Sequence, residues 1–209
     1  MARIDVLYSS LTSCEVFADI GCDHGYVAEL VAKNNLANKI YITDISAPSL
    51  KKAESLLFKY LGKKVFSVVC DGFSLIPETV DQALIAGMGG EEIIKILSNG
   101  QRPNRVVLQP MKNTEKLRKK LIELGYKIIK DYTFIDGKFY DLIIAEKGED
   151  YLSEDEINFG RTNLIERPNA FLQKMQKEHQ NITVYLTKDL GEKARTELEE
   201  RKKLLEKHL

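Results

Sequence analysis

Three carboxylates stand at matching places in this chain, each at the end of a short run of apolar and β-branched residues: Asp19 in ADIGCDHGY, Asp44 in YITDI and Asp71 in VVCDG. In an α/β sheet, ligands bind outside the carboxyl ends of the strands. Acidic groups gathered there repel one another unless a ligand or water lies between them, so a shared ligand is expected. Gly21 opens a turn in which the backbone can approach that ligand and offer it a helix N-terminus. A dinucleotide pyrophosphate requires GxGxxG at this turn, and here the second glycine is missing. Asp19, two positions before Gly21, would repel phosphate but attract an ammonium. Asp44, followed by Ile45, suits the two hydroxyls of a ribose, and Asp71 with Gly72 suits the amine of adenine. The set favours S-adenosylmethionine (SAM) over a nicotinamide cofactor. A structural glycine turn and an ordinary acidic helix start are the bland alternatives.

The fourth strand-like run ends in Ala86-Gly87-Met88-Gly89-Gly90 and the fifth in Gln109-Pro110-Met111. Three glycines leave room between cofactor and substrate for a large planar group, and Gln109 and Pro110 border the same crevice. For Gly89-Gly90 the alternative is a tight strand-to-helix turn. Asp23 lies in the turn after the first strand, where its side chain can face a transferred methyl group; the alternative is that it caps the next helix. His24 and Tyr26 are expected beside the substrate. Tyr26 can stack on a base, although a tyrosine in a first helical turn also suits a core. Cys14, Cys22 and Cys70 form no CxxC pair and no His stands at ligand spacing, so neither a metal site nor a disulfide framework is expected.

Such residues need a scaffold that brings strand ends together. Strands are expected at 16–21, 39–45, 65–71, 81–87 and 105–111, with helices at 26–34, 48–61, 91–97 and 115–124, the alternation of parallel βα units. Helix 115–124 gathers Leu117, Leu121 and Leu124 on one face. Lys112, Lys116, Lys119 and Lys120 fall on the other, a basic surface suited to phosphates. After Gly125, YKIIKDYTFI and KFYDLIIAEK flank Asp136-Gly137, a hairpin signal, and must pair antiparallel. The expected fold class is α/β: a class I SAM-dependent methyltransferase (Rossmann-like) domain over 1–150, its mostly parallel sheet closed by an antiparallel hairpin.

From 151 to 209 the composition turns to Glu, Lys, Arg, Gln and Leu. Ser153 with Glu156 reads as a capping box, and Pro168 suits the first turn of a further helix. Phe171, Met175, Ile182 and Tyr185 make one stripe and Leu190, Ala194, Leu198, Leu205 and Leu209 another. Two stripes with a short break predict a C-terminal helical hairpin with a coiled-coil-like seam. It either packs on itself, dimerises an otherwise monomeric protein, or carries Arg195, Arg201, Lys202 and Lys203 to a substrate.

Composition narrows the class further. The 209 residues are 44% hydrophobic, enough for a core without staples, and 31 basic residues balance 31 acidic ones. Zero net charge argues against a generic nucleic-acid coat protein but permits an enzyme with local basic patches. No apolar run approaches membrane-spanning length and no secretory signal opens the chain, so a cytoplasmic protein is expected.

ADIGCDHGY, AGMGG and LQPM, in this order and on these strand ends, resemble the TrmK family of bacterial tRNA (adenine-N1)-methyltransferases. Arg3, sixteen residues before Asp19, matches a family arginine and joins the expected cofactor site. Cys22 and Gly25 depart from the common serine and alanine, and Val27-Ala28 from Leu-Pro; Asp23, His24 and Tyr26 stay in place. The resemblance implies methyl transfer from SAM to N1 of adenine 22 in the D-arm of tRNA, with Asp23, Tyr26 and Gln109 nearest the chemistry. Arg3, Asp19, Gly21, Asp44, Ile45, Asp71, Gly72 and Ala86 to Met88 are then assigned to the cofactor. His24, Gly89, Gly90, Pro110 and the four lysines are assigned to tRNA. A methyltransferase for another RNA or a small molecule, and a non-reacting SAM- or RNA-binding module, remain as alternatives.

Overall fold

The apolar runs of the first half form five parallel strands, because each carries side chains that two helical layers can cover. In the computed structural model, which describes residues 2–209, these are β1 (Cys14–Ile20), β2 (Ala37–Asp44), β3 (Val65–Val69), β4 (Gln82–Met88) and β5 (Arg105–Pro110). Alternation sends Phe17, Ile40, Ile42, Leu84 and Val107 to one face, under α1 (Arg3–Ser9), α2 (Tyr26–Lys33) and α3 (Ala47–Leu56). Ala18, Ile20, Ala83, Ile85, Val106 and Leu108 face the other way, under α4 (Gly90–Asn99) and α5 (Thr114–Glu123).

β6 (Tyr126–Asp136) and β7 (Lys138–Lys147) form the expected hairpin, turning on Gly137 at φ 69°. The sheet order is β3-β2-β1-β4-β5-β7-β6, with β7 antiparallel to both β5 and β6. Helices α1 and α3 differ from the sequence reading. Helix α1 was not anticipated; it buries only Val6 and Leu7, too little apolar signal to stand out. Helix α3 stops at Leu56 rather than at 61, because the chain turns back there: the amides of Lys64 and Val65 both donate to the Tyr60 carbonyl.

The C-terminal part begins with two short helices, α6 (Glu154–Phe159) and α7 (Arg161–Glu166), before α8 (Asn169–Leu186) and α9 (Glu192–Glu206). Ser153 and Glu156 form the expected capping box, whereas Pro168 caps α8 from outside its first turn. Helices α8 and α9 run antiparallel, as Arg195 bonding the Leu186 carbonyl and Arg201 pairing with Glu178 require. Phe171, Met175, Ile182 and Leu205 are buried with Phe159 in a third core. Tyr185, Ala194 and Leu209 are exposed, so the two stripes are shorter than their periodicity suggests. Tyr185 and Ala194 lie near the tip, where no third element among the described residues covers them.

This end of the chain is fastened to the sheet by buried polar groups. Arg118 of α5 pairs with Asp131 of β6 at 2.8 Å and donates to the Ile157 carbonyl at 3.1 Å. Asn163 of α7 accepts from the Thr133 amide, and Lys174 of α8 pairs with Asp141 at 2.6 Å.

Candidate active site

Strand order reverses between β1 and β4, and at such a switch point the following loops diverge and leave a crevice. Two cavities meet there. One, of about 420 Å³, is lined by Thr43, Asp44, Ile45, Asp71 and Gly72. The other, of about 560 Å³, is lined by Arg3, Asp19, Asp23, His24, Tyr26 and Tyr140. Gly21, Ala86 and Gly87 line both, so together they form one elongated site with a glycine-walled waist.

In the first cavity Asp44 accepts the Ser46 amide on one oxygen at 2.8 Å, and its other oxygen accepts no hydrogen bond among the described residues. Ile45 beside it is 76% exposed, an apolar platform at the rim. Asp71 is exposed and paired with Lys95 at 3.2 Å. The waist is shaped by a β-bulge in β4 between Ala86 and Met88. Its extra residue, Gly87, has φ 83°, and a Cβ there would lie 3.0 Å from the Arg3 guanidinium.

Asp19 forms the floor of the second cavity. Burial pushes its carboxyl up to about 7, against the opposing pull of the Ala28 amide and of Arg3. Arg3 is held from three sides: its Nε donates to Gln109 at 2.8 Å, its amide donates to Asp136 at 2.8 Å, and its guanidinium lies over the Tyr140 ring. Burial and the charges of Asp19 and Asp44 push the Cys22 thiol up, which keeps it protonated and unsuited to nucleophilic work.

At the mouth, Asp23 adopts the left-handed conformation with φ 45°. It caps nothing: the N-cap of α2 is Gly25, and the Asp23 carboxylate instead pairs with Lys52 at 3.3 Å and with His24 Nδ1 at 2.6 Å. Desolvation, the largest single effect, raises its pKa, but the bonds from Lys52 and His24 and their charges together outweigh it and hold it below the usual carboxylate range. The His24 ring lies parallel to Tyr26, centroids 5.4 Å apart and planes within 7°. Tyr26 is half-exposed, which removes the core reading of this residue.

A family model described as TrmK, tRNA (adenine(22)-N(1))-methyltransferase, matches residues 17–208. The chain belongs to the TrmK family. The tRNA (adenine(22)-N(1))-methyltransferase of Bacillus subtilis is 27% identical over 96% of this chain and 89% of its own. The crystal structure of the B. subtilis m1A22 tRNA methyltransferase TrmK superposes with a TM-score of 0.86 at 26% identity, covering 98% of this chain and 96% of that one. A Streptococcus pneumoniae protein solved in complex with S-adenosyl-L-methionine superposes at 0.91 with 25% identity, each chain covered completely. This TrmK chain thus has the class I methyltransferase fold, uses SAM and acts on tRNA.

Several TrmK residues singled out from sequence sit differently from expectation. Gln109 is fully buried, donates to the Pro110 carbonyl and accepts from Arg3, so it positions Arg3 and does not reach a substrate directly. Pro110 is buried as well. Gly89 and Gly90 are also buried: a Cβ on Gly90 would lie 2.5 Å from the Asn113 carbonyl, so this glycine admits the β5–α5 loop and not a planar substrate. The basic face of α5 is partly neutralised, Lys116 by Glu91 and Lys120 by Glu123. Lys112 and Lys119 carry no ion pair among the described residues. Arg195 and Arg201 are engaged within the helical hairpin. Lys52, Asp136 and Tyr140 complete the site without having been foreseen. Each meets it only through tertiary folding, and no local spacing marks them.

Proposed function

We infer that this chain transfers a methyl group from SAM to N1 of adenine 22 of tRNA, with the crevice between β1 and β4 as its active site. The observation that supports this assignment of the site is the joining of two unlike cavities at the Gly21, Ala86 and Gly87 waist. One suits an adenosine and the other an amino-acid tail, and the stacked His24 and Tyr26 stand at the second cavity's mouth.

The chain's groups fit the cofactor. The free Asp44 oxygen would hold the ribose, Ile45 would pack on the adenine, and Asp71 with Gly72 would border its amine. Asp19 would take the ammonium and Arg3 the carboxylate of the methionine end. Bound SAM supplies a sulfonium methyl, electrophilic enough that adenine N1, which already carries a lone pair, needs no strong base. The protein's work is then alignment and exclusion of water. Tyr26 and His24 offer a flat surface for a splayed-out base. Alkylation at N1 makes the ring cationic and its exocyclic amine more acidic. The Asp23 carboxylate, ionised and with lone pairs left after Lys52 and His24, accepts from that amine and gains most in the transition state.

Lys112 and Lys119 contact tRNA phosphates. The exposed pairs of Lys116 and Lys120 are weak enough to exchange partners. The protein works in the cytoplasm as a monomer, with residues 1–150 as the catalytic domain and 151–209 as an extension that also meets the tRNA. Incubation with labelled SAM and tRNA transcripts bearing adenine or guanine at position 22 tests the assignment. Label is expected as 1-methyladenosine in the first transcript only; equal labelling of both refutes the target.

A further inference from the structure

A third cavity, of about 260 Å³, lies outside the crevice, where the β5–α5 loop, the β6–β7 hairpin and helices α6, α8 and α9 come together. It is smaller than the roughly 300 Å³ at which pockets for whole cofactors and drug-sized ligands begin. Its floor is apolar, made by Phe171 and Met175. One wall carries the planar guanidinium of Arg201, fixed by two bonds to Glu178 and packed over Phe159. Stacking on aromatic rings and on guanidinium planes is how proteins hold unstacked bases.

The opposite wall is polar. Asp141 accepts from Thr114, Thr133 and Lys174, three donors for a carboxylate that offers about four lone-pair sites. Burial pushes Asp141 up, but the charges of Lys174 and Arg118 and the bonds it accepts hold it below the usual range, so it stays ionised. Lys174 spends one of its three donors on Asp141. A spare acceptor beside spare donors matches a base edge that presents an amine next to a ring or carbonyl acceptor.

The cavity also lies one residue away from the active site. Met111 lines it; the Met111 sulfur is 3.3 Å from the Gln109 amide, and the other end of Gln109 holds Arg3 in the wall of the crevice. Lys112 also lines this cavity and carries no ion pair among the described residues. We propose that this cavity is a second base pocket, which takes a nucleobase of the tRNA adjacent to the methylated adenine while Lys112 meets the phosphate between them. The extension thereby supplies part of the substrate site itself. The proposal rests on tRNA being the substrate.

The four methionines of the chain make the test direct, because Met111 and Met175 line this cavity and Met88 lines the cofactor crevice. The full-length protein, labelled with ¹³C at the methionine methyls and saturated with S-adenosylhomocysteine, is titrated with a tRNA transcript. Two further transcripts are abasic at one or the other neighbour of adenine 22. The intact transcript is expected to shift the Met175 methyl by the ring current of a seated base. One of the abasic transcripts should leave Met175 at its RNA-free position and bind about tenfold or more weakly, as loss of a stacked base implies. Met175 unmoved by bound intact transcript overturns the pocket, as does a shift that survives both abasic changes. Methylation of the intact transcript, followed in parallel with SAM, separates the two levels: methylation with a silent Met175 refutes the pocket alone, and no methylation refutes the substrate and the pocket together.

Discussion

The buried carboxyl of Asp19 makes cofactor affinity depend on pH in a calculable way. Its pKa stands at about 7 because burial opposes its charge, yet it must be ionised to pair with the ammonium of SAM. An α-amino group of pKa about 7.7–8.0 stays protonated below pH 7, so in that range Asp19 is the group of the pair that titrates. About 1% of the free protein carries ionised Asp19 at pH 5 and about half at pH 7, so Kd for SAM is expected to fall about fiftyfold between them. Binding at pH 6 should release close to one proton. Calorimetry in buffers of different ionisation enthalpy, at constant ionic strength, measures both quantities. Asp19→Asn should bind weakly at every pH and lose the slope. A native Kd that is flat from pH 5 to 7, with no proton released, would refute the placement of the ammonium on Asp19.

Four further outcomes are expected. Asp23→Asn tolerates the same left-handed backbone and should keep Tm and SAM affinity while kcat for tRNA falls on the order of a hundredfold; an effect of only a few-fold removes Asp23 from the chemistry. Lys52→Met frees the Asp23 carboxylate and should lower kcat about tenfold with the KM for SAM unchanged, and Lys52→Arg should restore most of it, in steady-state assays. Asp44→Ala should weaken SAM binding on the order of a hundredfold by removing charge-assisted bonds to ribose, which titration of the folded variant would show. Arg118→Ala leaves Asp131 buried and unpaired, so denaturant unfolding should show a loss of about 3–5 kcal/mol.

The crevice at the strand ends was legible because its lining residues follow strands directly. Asp19, Asp44 and Asp71 take their places from the ends of β1, β2 and β3, and apolar runs with glycine turns reveal those ends. The hairpin was legible for the same reason, since Asp136-Gly137 dictates a tight reversal. What escaped notice lies between elements. Lys52 is one of two adjacent lysines on α3, and only the packing of α3 against the first loop selects it. Gly89 and Gly90 resemble ligand-facing glycines in sequence but face Lys112 and Asn113 of the β5–α5 loop, far along the chain. Arg118 lies on a helix whose sequence shows a leucine face and a lysine face, and its buried partner on β6 has no sequence signature. The stripes of the extension mark only a helical hairpin, whereas its first helices also satisfy polar groups of the sheet.

That arrangement has a consequence for folding during synthesis. The parallel core from β1 to β5 is complete once about half the chain has emerged, but β7 must then insert between β5 and β6. Even after the hairpin forms, Asp131, Thr133, Asp141 and Arg118 still lack partners that lie between residues 157 and 174. Unpaired polar groups held out of water are costly, so the outer edge of the sheet stays unlocked until those residues leave the ribosome. Nascent chains with about 150 residues clear of the ribosome should therefore expose β6 to protease and chaperone, and chains with α8 also clear of it should not. Helices made only after the whole sheet are the ones that close it.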